Sequence, residues 1–339
     1  MKPNSGRKLS RREFLSLAGG VASGMMLAAC APKAAPVEPS EATKAPQAAI
    51  TTAPAPKEVQ LTLWTFGSFF TDYYEKIAPK YKEIAPHVTV KVEEIAGAQL
   101  FDNLLAALAA GTGAPDIADI EQGPMSRFFK GDIGLLDLSD LIQPYSDDYV
   151  MARTDPYSYL GKIYGIDHCL CPVVFYYRWD LYDQAGMKMP VATWEEFAEA
   201  AKVLQADEVA ALSFSETGWG DYWMLLTQRG NGGIFDASGE VIIDQPEAVE
   251  VLAYYVDLIK SGVAAISPEG PAYYAALAEG KIAGAVGADW FGGFIKLNVG
   301  DPGEGKWKAA PLPAWVPGGS RTSAHGGTGY TITRQCKVP

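Results

Sequence analysis

From Val59 onward, apolar and polar residues fall in short blocks whose period switches between that of a strand and that of a helix. Val59-Gln60-Leu61-Thr62-Leu63-Trp64 alternates with a period of two and runs out in Thr65-Phe66-Gly67-Ser68, which predicts a strand and a turn. A helical stretch through Tyr74, Ile77 and Tyr81 follows, closed by Pro86. Val88-Thr89-Val90-Lys91-Val92 is β-branched and strand-like. Leu100 to Ala110 consists of strong helix formers with Leu104, Leu105 and Leu108 on one face, and Gly111-Thr112-Gly113 stops it. Asp116-Ile117-Ala118-Asp119-Ile120 reads as a strand again. This β-α-β-α-β order predicts a parallel sheet flanked by helices.

The pattern resumes after a loop-rich middle. Cys171 to Tyr177 predicts a strand, and Thr193 predicts a helix cap with Glu196 as its capping-box partner. Asp244-Gln245-Pro246-Glu247 opens a helix through Leu252, Tyr255 and Leu258, with Gly262 as its stop. Ile282 to Val286 predicts a strand of small residues leading into Gly287-Ala288-Asp289-Trp290. So long a body exceeds one ordinary core, so two α/β lobes are expected. No short-period repeat is visible.

The first 57 residues follow other rules. Lys2, Arg7, Lys8, Arg11 and Arg12 form a basic start, and Phe14 to Ala29 is apolar. That stretch is too short and too rich in Gly and Ser to span a bilayer, which takes about 20 apolar residues. Ser10-Arg11-Arg12-Glu13-Phe14-Leu15 resembles the twin-arginine export signal, and Leu27-Ala28-Ala29-Cys30 resembles a lipobox, where cleavage precedes the cysteine and its thiol is diacylated. Residues 1–29 therefore read as a signal peptide. Cys30 reads as the lipidation point, and the Ala-, Pro- and Thr-rich run to Lys57 as a disordered tether. This reading expects export and lipid anchoring at the outer face of the cell membrane, or a periplasmic place. No later stretch predicts a membrane-spanning helix.

Charge then narrows the partners. The whole chain carries −12, and taking off the +4 of residues 1–29 leaves −16. With no basic stripe to offset this, nucleic-acid binding is not expected. Beyond Cys30 only Cys169, Cys171 and Cys336 remain, and the histidines are His87, His168 and His325. On a strand Cys169 and Cys171 point to the same side and are poorly placed to bridge each other. Either could pair with Cys336, or all three could be small buried thiols. His168, Cys169 and Cys171 lack a second ligand pair at zinc-site spacing, so neither a metal nor a cofactor is expected.

Several phrases together resemble the extracellular solute-binding proteins of ABC importers, in the sugar-binding group that includes maltose-binding protein. In order they are Leu61–Trp64, Leu104–Ile117, Tyr164-Gly165-Ile166, Tyr176–Gly186, Thr193–Phe197, Glu279–Trp290 and Gly326–Ile332. Each is weak alone, but their order over most of the chain is specific. The resemblance implies a two-lobed, hinge-linked periplasmic-binding-protein fold of type II. It implies lobe 1 from residues 58–168 with 311–339, lobe 2 from 169–310, and crossings near Asp167–Pro172 and Pro311–Pro313. It also implies a sugar ligand in the cleft, ABC permease subunits as partners, and a monomer. Relatives continue past the strand resembling Gly329–Thr333, so the C-terminal helices are expected to be missing and apolar sheet surface to be uncovered.

Sugars present apolar C–H faces and many hydroxyls, which aromatics, carboxylates and amides recognise. Trp64 and Phe66 end a strand where open α/β sheets place ligands, and Glu121 and Gln122 follow another. Trp219, Asp221, Tyr222 and Trp223 cluster in a Gly-containing loop, while Asp289 and Trp290 end the small-residue strand. Asp167 lies at the expected crossing. For each aromatic, packing in the core or hinge is the alternative. Two other functions fit the residue types less well. One is a secreted carbohydrate-active enzyme using Asp221 and Asp289 as its acid pair. The other is a ferric-ion receptor using the tyrosine pairs Tyr73-Tyr74, Tyr176-Tyr177 and Tyr273-Tyr274.

Overall fold

A computed structural model describes residues 57–338 apart from Trp219, Asn231, Gly232, Ala237 and Pro268. The signal-like segment, Cys30, nearly all of the tether and Trp219 lie outside the described residues. The strands are, in chain order, β1 (Val59–Thr65), β2 (Val88–Glu94), β3 (Ile117–Glu121), β4 (Ser158–Tyr159), β5 (Lys162–Ile163), β6 (Ile166–Asp167), β7 (Val173–Arg178), β8 (Leu212–Ser215), β9 (Ala264–Ser267), β10 (Gly284–Ala288), β11 (Trp307–Ala310) and β12 (Thr328–Ile332).

The first sheet has the order β2-β1-β3-β12-β6. Its first three strands are parallel, with Val59 opposite Val88 and Leu63 opposite Ile117. The two latecomers run antiparallel, β12 against β3 and β6 against β12. Asp116 sets the entry to β3 by accepting hydrogen bonds from the Thr62 amide (2.7 Å) and hydroxyl (3.0 Å). The helix Gly97–Ala110 covers the sheet with Leu100, Phe101 and Leu104, and Gly111 ends it at φ +71°. Burying each such leucine contributes about 1.5–3 kcal/mol. Leu105 and Leu108 pack only at the margin of this core.

A second core gathers around β7, which lies between β10 and β11 and antiparallel to both. β8 and β9 form a parallel pair. Phe175, Trp194, Phe197, Phe214, Leu225 and Val251 are buried here. The capping box exists with its return arm shifted. The Thr193 hydroxyl accepts from the Glu196 amide (3.2 Å), but the Glu196 carboxylate accepts from the Ala192 amide. Along the helix Pro246–Lys260 the buried face is Ala248, Val251 and Leu258, with the Tyr255 ring stacked on Phe214 at 3.9 Å. Leu252, expected on that face, is exposed.

Two segments join the cores. The outgoing one runs from β6 to β7. On the way back, Leu312 is buried in the second core and Ala314 bridges Thr193, while Arg321 donates to the carbonyls of Leu312 (2.8 Å) and Val191 (2.7 Å). The chain bridges Pro172 at Ala324 and rejoins the first sheet at Thr328. Arg153 fastens both segments. Its Nη2 donates to Asp167 Oδ2 (2.7 Å), the Cys169 carbonyl (3.1 Å) and the Gly326 carbonyl (3.2 Å). Gly327, at φ +143°, passes so close to that guanidinium that a Cβ would collide with it. No described helix is long and apolar enough to cross a membrane.

Cys169 and Cys171 are unbridged, as expected, but not because they lie on a strand. Cys169 and Cys171 precede β7 rather than lying in it, and Cys171 has φ +48°. That left-handed turn swings the two thiols together, with Sγ–Sγ 3.0 Å. Cys169, Cys171 and Cys336 are all free thiols.

Candidate functional site

A cavity of about 390 Å³ opens on the second core. Its floor is Val286, Gly287 and Ala288 of β10. The small residues there are required by packing: a Cβ on Gly287 would meet the Phe291 ring at 2.7 Å, and one on Gly284 the Ala211 carbonyl at 2.5 Å. β8 and the first turn of the helix Gly220–Arg229 supply Ser215 and Asp221, and the loop before the helix Pro271–Ala278 supplies Glu269. Trp290, Phe291 and Phe294 form an aromatic side, and His325 reaches in from the returning segment.

Electrostatically the cavity is an acid lining beside that aromatic side. Asp221 accepts a hydrogen bond from the Ser215 amide at 2.7 Å. Burial nevertheless pushes its carboxyl up to about 6; the Ser215 amide opposes the rise and the charge of Glu269 adds to it. The Ser215 hydroxyl donates to Glu269 (2.9 Å) and accepts from the Gly218 amide (2.8 Å), which fixes the second acid. Trp290 is oriented by its indole N–H, which donates to the His325 carbonyl at 3.2 Å. Burial holds the His325 imidazole below its usual range, which favours the neutral ring. Across from this side the helix Ser68–Tyr81 presents Phe69, whose ring meets Phe294 edge-on at 6.3 Å.

Of the candidates named from sequence, Asp221 and Trp290 line this cavity. Asp289 is exposed next to Trp290 but is not among the lining residues. Trp64 is half-buried against the first core, its indole N–H donating to Glu93 (2.9 Å). Phe66 packs edge-on against Phe70 and Phe101. Glu121 is half-buried with its carboxyl raised by desolvation, and the Gln122 amide donates to the Gly327 carbonyl. Asp167 is buried and engaged with Arg153 and the Cys169 amide. Tyr222 donates to the Ala248 carbonyl and packs on the second core, and Trp223 lies against Gly233. Sequence reasoning passed over Glu269, Phe291, Phe294 and His325, and took Tyr273 only as half of a pair. Two of the tyrosines cast as iron ligands are occupied: Tyr74 donates to buried Asp119 (2.5 Å) and Tyr176 to the Ala288 carbonyl (3.1 Å).

Residues 68–337 match the family described as bacterial extracellular solute-binding protein. The chain belongs to that family. It is 31% identical over 288 residues to an arabinooligosaccharide-binding protein of Bacillus subtilis, covering 83% of this chain and 66% of that protein. To the arabinooligosaccharide-binding protein of Halalkalibacterium halodurans it is 33% identical over 287 residues, covering 81% and 64%. The chain thus spans just under two thirds of the length of these two relatives. Among solved structures, the galacto-N-biose-/lacto-N-biose I-binding protein of the Bifidobacterium longum ABC transporter superposes with TM-score 0.68 at 22% identity, covering 83% of this chain and 72% of that one. The GacH receptor of Streptomyces glaucescens, solved unliganded and with acarbose, gives 0.67 at 20% identity, covering 83% and 73%. These likenesses are of fold: a type II periplasmic-binding-protein architecture.

Proposed function

We propose that this member of the solute-binding family captures a carbohydrate at the cavity on β10 and hands it to the membrane subunits of an ABC importer. The observation that carries this reading is the pairing of fixed acids with an oriented aromatic side. Asp221 and Glu269 can accept hydroxyl hydrogen bonds while Trp290, with Phe291 and Phe294 beside it, offers flat apolar surface to C–H faces. Two arabinooligosaccharide-binding relatives favour a pentose-rich oligosaccharide as the first ligand to try. Binding rather than turnover fits the placement of Asp289, the second acid of a hydrolytic pair, away from the cavity lining. The same proposal takes residues 58–168 with the strand at 328–332 as one lobe, and the chain from 169 to about 325 as the other. It includes hinge closure on the solute, a monomer, twin-arginine export, and anchoring by lipid on Cys30.

A thermal-shift screen of the protein against arabinooligosaccharides, maltooligosaccharides, monosaccharides, peptides and polyamines tests it. A ligand that binds only the folded state at 100 times its Kd adds about 2.7 kcal/mol of stability. A shift with an oligosaccharide, reduced in a Trp290→Ala variant, is the expected result. Shifts with peptides or polyamines and none with any sugar would overturn the assignment. Release of sugar from a bound glycoside would overturn the non-enzymatic part alone.

A further inference from the structure

Outside the cavity, Cys169 Sγ, Cys171 Sγ and a carboxylate oxygen of Asp289 lie within 4.8 Å of one another. We propose that these three side chains form a site for a thiophilic divalent or d¹⁰ cation, with Zn²⁺ as the representative ion.

The donors come from two segments held in register by the backbone. The Asp289 amide donates to the Pro172 carbonyl at 3.0 Å, which sets the carboxylate beside Cys171. The Cys171 carbonyl accepts from the His325 amide (3.1 Å) and the Cys169 carbonyl from Arg153 (3.1 Å), so both cysteine backbones are pinned. The left-handed turn at Cys171, unusual for a residue with a Cβ, is what aims both sulfurs the same way. Cys171 is buried, Cys169 half-buried and Asp289 exposed, so the cluster is open to solvent on the Asp289 side. Three protein donors with an accessible side leave a position for water, the pattern of an open tetrahedral zinc centre.

Donor chemistry selects the ion. Two thiolates and one carboxylate suit Zn²⁺, Cu⁺ or Cd²⁺ and disfavour Mg²⁺ and Ca²⁺, which take oxygen shells. With Zn–S near 2.3 Å, two thiolates on a tetrahedral ion stand about 3.8 Å apart. The observed 3.0 Å therefore has to widen, which rotation of the half-buried Cys169 side chain allows. Binding replaces two S–H bonds by two metal–sulfur bonds and releases two protons to solvent, with no change of oxidation state. His168 takes no part: its Nε2 is turned to Asp119 (2.9 Å) and the Tyr74 hydroxyl (3.1 Å).

The test uses the full chain, reduced and desalted, with Cys30 and Cys336 both changed to serine so that Cys169 and Cys171 are the only thiols. Titration with Co²⁺ is expected to give thiolate-to-metal charge-transfer absorption that saturates at one ion per chain and disappears on adding Zn²⁺. Asp289→Asn, a change at an exposed position, is expected to weaken Zn²⁺ at least tenfold in competition with a chromogenic chelator. Cys169→Ser is expected to abolish the absorption, with circular dichroism confirming that it folds. Absence of the band in the reduced parent overturns the site, as does a stoichiometry that does not saturate at one. A band whose Zn²⁺ affinity is the same with Asn at 289 removes the carboxylate and with it the proposed geometry.

Discussion

At the scale of single residues, Asp221 carries the clearest consequence. Its carboxyl sits at about 6 in the folded chain against 3.8 ordinarily, because the site excludes water. The folded state therefore holds the proton more tightly than the unfolded chain, and stability is fully present below about pH 3.8 and lost as pH rises through about 6. The shift corresponds to at most about 3 kcal/mol. Asp221→Asn keeps an oxygen for the Ser215 amide and removes the charge. It is expected to raise the urea midpoint at pH 7.5 and to leave it unchanged at pH 3.5; equal effects at both pH values would mean that charge burial is not the cause. Trp290 makes the complementary case. Its indole is tethered to the His325 carbonyl, so the ring is presented in one orientation, and Trp290→Ala is expected to weaken sugar binding by about 1–3 kcal/mol, read by isothermal titration. Both residues were named from sequence, Trp290 because it ends a strand of small residues and Asp221 as part of an aromatic–acid cluster beside glycines, although Asp221 lies in a helix turn and not in a loop. Tyr222 and Trp64 had the same composition cues, but their polar atoms are directed to the Ala248 carbonyl and Glu93. Composition says that a ring is near a strand end, not which side of the element faces the cavity.

At the scale of elements, local chemistry set the starts and stops while packing chose the faces. Thr193 caps its helix as expected, and Thr193→Ala is expected to cost about 1 kcal/mol in chemical denaturation. The neighbouring Glu196 departs from the box by reaching the Ala192 amide, a detail that depends on how the chain enters from the second core. Leu252 failed as a core residue because the helix Pro246–Lys260 contacts its neighbours along Ala248, Val251, Tyr255 and Leu258, a stripe one residue over. β10 was visible as a run of small residues, and the structure supplies the reason for them. At Gly284 a Cβ would press at 2.5 Å on the backbone oxygen of Ala211, which cannot swing aside. Gly284→Ala is expected to destabilise by about 1–3 kcal/mol, whereas at Gly287 the obstruction is the side chain of Phe291 and the cavity shape changes first. A melting curve for Gly284→Ala that matches the parent would show that β10 can shift to make room.

At the scale of the whole molecule, the joining segments were the least legible part, because their geometry rests on long-range ties. Nothing near Arg153 in sequence announces that one guanidinium nitrogen will bind Asp167, the Cys169 carbonyl and the Gly326 carbonyl at once. The pair is nearly dry, with side-chain exposures of 14% for Arg153 and 1% for Asp167. Desolvation outweighs the guanidinium so far that the Asp167 carboxyl stays above its ordinary range. A pair of that kind contributes little net stability, yet removing one partner leaves a buried charge, at a cost of about 3–5 kcal/mol. Its value lies in geometry: it holds the outgoing and returning segments together, and any hinge motion between the cores has to bend beside it. Two variants separate these roles. Asp167→Asn should lower the unfolding midpoint strongly. The double variant Arg153→Met, Asp167→Leu should recover most of that loss while speeding hydrogen exchange at the His168 amide, whose acceptor is the Thr328 carbonyl of the returning strand, because the tie between the segments is gone. A double variant as unstable as the single would mean that the pair itself stabilises the fold, and unchanged exchange would mean that the segments are fixed by their strands alone.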